Sequence, residues 1–377
     1  MGSLGDAVRA RNDQIAAVGR WRSIRTLDSG TPRTRQADGR EVVQFASNDY
    51  LGLSQHAAVR DAAHRALDTY GTGAGASRLI VGGRPVHDEL EAAIGTWKGT
   101  EAALVFPTGF AANLGVIGAL VAAGGRNDTM VFSDELNHAS IIDGIRAARA
   151  DVCVVPHLDL DRLSAALGGR RQRHAVVVTD AVFSMDGDVA PVDELATLCA
   201  RHDAVLVLDE AHAVLGPDHP RNADCEVVVV GTLSKTLGSV GGYVAADRAL
   251  VELCVNASRS FIFTTAPAPA DAAAALAALA VVTGPEGDTL RSRLGDNVER
   301  VRPGHPSPIV PVVLGTEAAA LDAAARLLAQ GLLVPAIRPP TVAEGTCRLR
   351  IALSAAHDPD DVDRLAAALD ALDALPR

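Results

Sequence analysis

The sequence predicts an α/β fold, a large domain on a mostly parallel sheet followed by a smaller C-terminal α+β domain. Three observations carry that expectation. Short β-branched runs alternate with amphipathic segments from about residue 100 to 245, and such alternation builds a parallel sheet covered by helices on both faces. Several of the runs are apolar throughout, as strands buried on both sides must be. Beyond about Thr283 the order becomes strand, helix, strand, helix, the pattern of a separate small domain.

Taken in order, residues 1–42 are basic and irregular (Arg9, Arg11, Arg20, Arg22, Arg25, Arg33, Arg35) and read as a helix followed by a connecting segment. The large domain is expected over 43–283. Its strands are expected at 103–106, 129–133, 152–156, 175–179, 205–209, 227–231 and 242–246, where β-branched residues dominate. Helices fall between them at 110–122, 139–148, 161–167 and 192–201, where apolar residues recur at helical spacing. The small domain, 284–377, has a strand at 309–314, a helix at 317–330, a strand at 348–353 and a helix at 360–375. The turn-rich stretch 284–308 reads as the joint.

Composition bounds the function. The chain has 377 residues, 48% hydrophobic and 21% charged, which places it among ordinary globular proteins. Only 3% are aromatic, so the core relies on Ala, Val, Leu and Ile. A net charge of −11 argues against nucleic acid or an anionic membrane as a general partner. It leaves room for a local basic pocket. The Ala-rich stretch 266–282 is interrupted by Pro267, Pro269 and Asp271 and is no membrane span. Residues 1–17 carry charges where a secretory signal needs an apolar core. The five cysteines include no Cys-x-x-Cys pair, which points to a reducing compartment, the cytoplasm. The eleven histidines show no His-x-x-x-His spacing, so no metal site is expected.

Lys235 is the most informative residue. It follows the apolar run 227–230 and stands in Thr232-Leu233-Ser234-Lys235-Thr236. A lysine so enclosed has a lowered pKa and is suited to a Schiff base with a carbonyl cofactor. The alternative is a solvated lysine. Asp209 ends another apolar run, in Leu208-Asp209-Glu210-Ala211-His212. A carboxylate there is suited to the pyridinium nitrogen of pyridoxal phosphate, or else caps the next helix. His212 would bond either the ring oxygen of such a cofactor or the Asp209 side chain. In Pro107-Thr108-Gly109-Phe110, a strand-to-helix turn offers backbone N–H groups to a phosphate, or is a plain turn. His138 sits at a loop-to-helix boundary and either stacks on a cofactor ring or starts a helix. Ser184 is not in a Gly-x-Ser-x-Gly elbow, which argues against a serine hydrolase. Arg348 and Arg350 alternate on one strand and so share a side, to bind a carboxylate or lie on a solvated face.

Six segments in order carry a resemblance: Ser47-Asn48-Asp49-Tyr50-Leu51-Gly52-Leu53, Thr108-Gly109-Phe110-Ala111-Ala112-Asn113, Asn137-His138-Ala139-Ser140, residues 182–187, Asp209-Glu210-Ala211-His212 and 232–235. Over 45–357 the chain resembles the α-oxoamine synthases, fold-type-I pyridoxal-phosphate enzymes. The stretch 337–350 is similar to the alanine-using members. The resemblance implies a cytoplasmic homodimeric acyltransferase of biotin biosynthesis that condenses L-alanine with pimeloyl-CoA or a pimeloyl carrier-protein thioester. Its alternative is a relative using glycine and a short acyl-CoA. Implied roles are a Schiff base and Cα-proton shuttle for Lys235, the pyridinium partner for Asp209, the ring oxygen for His212 and ring stacking for His138. Gly109, Phe110, Ser184 and Thr232 would line the cofactor, and Thr264 and Thr265 would reach the partner subunit's phosphate. Arg350 would hold the amino-acid carboxylate, while Arg20, Asn48 and Thr341, with His138, would contact substrate. The chain departs from the family pattern at Thr108, where Ser is commoner, and in the short segments 214–226 and 284–308.

Overall fold

A computed structural model describes residues 3–221 and 223–372. The start at Met1 and Gly2 and the end of the expected last helix, 373–375, lie outside the described residues. Strands are numbered along the chain: β1 Arg33–Arg35, β2 Glu41–Gln44, β3 Ala102–Phe106, β4 Thr129–Asp134, β5 Asp151–Val155, β6 His174–Asp180, β7 Ala204–Asp209, β8 Val227–Thr232 and β9 Gly242–Ala246. They continue with β10 Ile309–Gly315, β11 Leu332–Leu333, β12 Ala336–Ile337 and β13 Cys347–Ala352.

Seven strands form the central sheet in the order β3-β9-β8-β7-β6-β4-β5. Only β9 runs against its neighbours, so the sheet is mostly parallel, as expected. Successive side chains point to opposite faces. Val176, Val178, Val207, Val228 and Val230 therefore pack on one side, with Ala112, Val116, Ile117 and Ile141 of the helices Gly109–Gly124 and Ala139–Ala148. Val177, Leu206 and Leu208 face the other side, against Leu163, Leu167 and Leu195. Both faces are covered, which is why these strands read as unbroken apolar runs.

In the C-terminal region an antiparallel sheet runs β10-β13-β12. The expected helices are there, Glu317–Ala329 and Pro359–Asp370. The segment 284–308 differs from the expectation. Most of it is a helix, Pro285–Val301, with Pro285 in its first turn beside Glu286 and Asp288. Those residues favour a helix start. Leu294, Val298 and Val301 form its buried stripe. Gly287 obscured the pattern, yet a Cβ there would come within 2.3 Å of the Val282 carbonyl oxygen. The glycine permits a close crossing with the helix Pro269–Val282. At the other end, β1 and β2 of the N-terminal segment join β11 in a third sheet. Among the described residues no helix is long and apolar enough to cross a membrane.

Candidate active site

The carboxyl ends of β3, β6, β7 and β8 and the start of β9 meet along one edge of the central sheet. Open α/β sheets place ligands at this edge. A cleft opens there, and its lining includes Gly109, Phe110, His138, Asp209, His212, Thr232 and Lys235.

Asp209, the last residue of β7, is 5% exposed. One carboxylate oxygen accepts from Asn113 Nδ2 at 2.7 Å and the other from the Ala211 N–H at 2.9 Å. It caps no helix, because the next regular element is β8. Asp180 lies beside it on β6 in register. Burial, reinforced by the Asp209 charge, pushes Asp180 well above the usual carboxylate range. Asp180 accepts the His138 N–H at 2.8 Å, and Asn137 Oδ1 accepts the Asp180 N–H at 3.0 Å. His138 is further fixed by Ser140, its Nδ1 lying 2.7 Å from the hydroxyl.

Lys235 Nζ lies 2.7 Å from His212 Nε2, and His212 Nδ1 lies 2.6 Å from the Tyr50 hydroxyl. The bond from His212 to Asp209, one of its two expected readings, is not made. Burial lowers Lys235 to about 8, and Asp209 and Asp180 only partly oppose this. Burial, with Lys235 close by, likewise holds His212 well below the ordinary imidazole value, so it is neutral at pH 7. The lysine is thus no solvated surface cation.

At the other end of the cleft Thr108 caps the helix Gly109–Gly124, its hydroxyl accepting from the Ala111 N–H at 3.0 Å. The N–H groups of Gly109 and Phe110 find no protein acceptor among the described residues. Such a helix start attracts an anion. Thr232, which donates to the Gly241 carbonyl at 2.9 Å, lies alongside.

Arg348 and Arg350 are both buried on β13, which removes the solvated-face alternative. Arg350 Nε donates to the Ser184 carbonyl at 2.5 Å, and its Nη2 to Asn48 Oδ1 at 3.3 Å. Ser184 therefore meets the arginine through its backbone. Ser184, Asn48 and Arg350 are linked to one another but do not line the cleft itself, and four more expected site residues also stand outside it. Arg20 donates to Glu317 at 2.6 Å and to Glu344 at 3.2 Å. Thr341 is exposed and accepts from Arg22 at 3.5 Å. Thr264 and Thr265 follow the helix Arg259–Ile262, away from the cleft of their own chain.

Tyr50, Asn113 and Asp180 are site residues that sequence alone does not single out. Tyr50 and Asn113 lie inside quoted motifs, and Asp180 ends an apolar strand as Asp209 does. Those were the available signals.

The residues present fit pyridoxal phosphate. A lysine amine of lowered pKa, a buried carboxylate held by two donors and an unpaired helix start share one cleft. Residues 40–369 match the family model described as "Aminotransferase class I and II". The chain is 49% identical to 8-amino-7-oxononanoate synthase of Anaeromyxobacter dehalogenans (strain 2CP-1 / ATCC BAA-258), over 97% of this chain and 95% of the relative. Its fold is similar to serine palmitoyltransferase of Sphingomonas wittichii, with a TM-score of 0.88 at 30% identity, covering 99% of each chain. A crystal structure of 8-amino-7-oxononanoate synthase from Francisella tularensis superposes with a TM-score of 0.72 at 25% identity, over 88% of this chain and 96% of that one. The chain belongs to the aminotransferase class I and II family, on its α-oxoamine synthase branch.

Proposed function

We propose that the chain condenses L-alanine with a pimeloyl thioester, on CoA or a carrier protein, to give 8-amino-7-oxononanoate, the free thiol and CO2 in biotin biosynthesis. The observation that carries this reading is Lys235 seated 2.7 Å from His212 in the cleft that Asp209 closes, in a chain 49% identical to a synthase named for that product. Carbon balances: three atoms from alanine and seven from the acyl group, less one as CO2, give nine.

Pyridoxal phosphate, when bound, supplies an aldehyde carbon for an amine and a ring that withdraws electrons from the amino acid's Cα. The protein's residues account for the rest. Lys235 would hold that aldehyde carbon and, once displaced by the amino acid, take and return the Cα proton. A pKa of about 8 suits both tasks near neutral pH. Asp209, fixed by Asn113 and Ala211, would keep a proton on the ring nitrogen. His212, fixed by Tyr50, would face the ring oxygen, and His138 would cover the ring face. The helix start at Gly109 and Phe110, with Thr232, would hold the phosphate. Arg350, flanked by Asn48, would bind the amino-acid carboxylate in a bidentate pair. Arg20 and Thr341 would reach substrate only from the rim.

The protein would act in the cytoplasm as a homodimer. Leu79, Ile80, Val81 and Phe263 are 48%, 74%, 70% and 70% exposed. They neighbour one another, since the Ala266 N–H donates to the Ala76 carbonyl at 3.0 Å. An apolar patch of this kind marks an interface. Thr264 and Thr265 adjoin it in sequence and would reach a partner's phosphate across such an interface.

The higher TM-score to serine palmitoyltransferase favours a second reading, in which another amino acid is used. Steady-state rates with alanine, glycine and serine, each across pimeloyl, short-chain and palmitoyl thioesters, separate these readings. Preference for alanine with pimeloyl supports the proposal, and preference for glycine with a short acyl group, or for serine with palmitoyl, overturns it.

A further inference from the structure

The loop after β6 contributes no reacting group, yet it is tied to groups around the site on two sides. Within 183–188 the Gly187 N–H donates to the Phe183 carbonyl at 2.8 Å and the Phe183 N–H to the Asp188 carbonyl at 3.0 Å. Gly187 has φ +71°, and a Cβ added there would lie 2.0 Å from the Ile309 carbonyl oxygen. The loop is therefore pressed against β10. On this side Ser184 accepts from Arg350 and Asp186 pairs with Arg348.

On the other side Asp188 bonds His157 Nε2. It is the one hydrogen bond of that carboxylate among the described residues, its other oxygen being buried without a partner. His157 Nδ1 faces both oxygens of Asp134, at 2.9 and 3.1 Å, and its ring stands edge-on to Phe183 at 4.4 Å. Asp134 is anchored in turn by the N–H groups of Leu136 and Leu158, at 2.8 and 2.9 Å. An imidazole between two carboxylates serves both as donor only when it carries two protons. Burial works against that charge, but Asp134 and Asp188 together outweigh it and raise His157 to about 10. The clamp is therefore charged at neutral pH.

We propose that His157 is a positioning residue for amino-acid binding. By fastening Asp188 to Asp134 it fixes the 183–188 loop, and the Ser184 carbonyl of that loop fixes the guanidinium of Arg350. The inference rests on the reading of Arg350 given under Proposed function. Loss of the clamp leaves Lys235, Asp209 and the helix start untouched, so it acts on capture of the amino acid and spares capture of the cofactor.

The test is steady-state kinetics on the holoenzyme carrying His157→Gln, Asp188→Ala, both together, or Arg350→Gln. The clamp predicts that each single clamp variant raises the alanine KM roughly tenfold. The thioester KM, kcat and the cofactor's visible absorbance should change little. It also predicts that the double variant is no worse than His157→Gln alone, as expected of two residues acting through one contact. Asp188 is the more exposed partner, so Asp188→Ala carries the test should His157→Gln fold poorly. An unchanged alanine KM in Asp188→Ala, or effects that multiply in the double variant, overturns the inference. If Arg350→Gln raises the alanine KM and the clamp variants do not, the clamp alone has failed. If Arg350→Gln leaves it unchanged, the reading of Arg350 has failed and takes the inference with it.

Discussion

Buried polar groups at the site are held by donors from distant parts of the chain. Asn113 donates to Asp209 from 96 positions away, and Tyr50 meets His212 from 162. A hydrogen bond to a charged group is worth about 1.5–3 kcal/mol. Asn113→Ala leaves one Asp209 oxygen without its donor, and kcat/KM should fall roughly tenfold to a hundredfold. Steady-state assay of the holo variant checks this, with visible absorbance confirming that cofactor is retained. Lys235 supplies a pH prediction. Its folded-state pKa is depressed, so the nucleophilic free amine accumulates as pH rises through about 8. Stopped-flow capture of pyridoxal phosphate by cofactor-free protein should accelerate with pH and level off above about 8. A rise continuing toward the ordinary lysine value of ~10.4 contradicts the burial argument. Lys235 and Asp209 were legible in the sequence because each ends or follows an apolar run at a strand's carboxyl end. Tyr50 and Asn113 were not, because sequence alone does not show which distant groups a fold brings together. Asp180 was missed for a different reason. Its strand ends like that of β7, but only the register shows the two acids side by side.

At the scale of elements, the turn from β3 into the helix Gly109–Gly124 depends on glycine in a neighbouring strand. A Cβ on Gly242 would meet Gly109 N at 2.4 Å and the Thr108 carbonyl carbon and oxygen at 2.5 Å. These are backbone atoms and cannot swing aside. Gly242→Ala should displace the helix start and weaken cofactor binding roughly tenfold or more, read by titrating visible absorbance. Unchanged affinity would mean that the helix start does not hold the phosphate. The inner strands were readable because burial on both faces imposes continuous apolar runs, while the edge strand β5, with Val152 and Val154 exposed, was readable from its β-branched residues alone. The helix Pro285–Val301 was not, since two glycines and polar residues outnumber its narrow stripe. The short segment 214–226 has its own anchors. Buried His219 donates through Nε2 to the Lys98 carbonyl at 2.8 Å, its Nδ1 lies 2.9 Å from Glu210 Oε1, and Arg221 donates to the Trp97 carbonyl at 3.0 Å. Glu210, also paired with Lys98, follows Asp209 directly. The shortened loop thus fastens the turn that carries His212.

At the scale of the molecule, strand order brings Asp180, Asp209 and Thr232 to one edge of the sheet beside Lys235, and β13 carries Arg350 from the C-terminal region. The apolar patch around Ile80 should close a dimer. Ile80→Asp should shift sedimentation velocity from dimer to monomer and lower activity, whereas an unchanged dimer places the interface elsewhere. The central claim is a decarboxylative condensation on alanine that depends on Lys235. Purified holoenzyme incubated with L-alanine and pimeloyl-CoA, followed by mass spectrometry, tests it most directly. The account predicts 8-amino-7-oxononanoate from the native chain and none from Lys235→Ala. Absence of that product from the native chain with either the CoA or the carrier-protein donor, or its formation by Lys235→Ala, would contradict it.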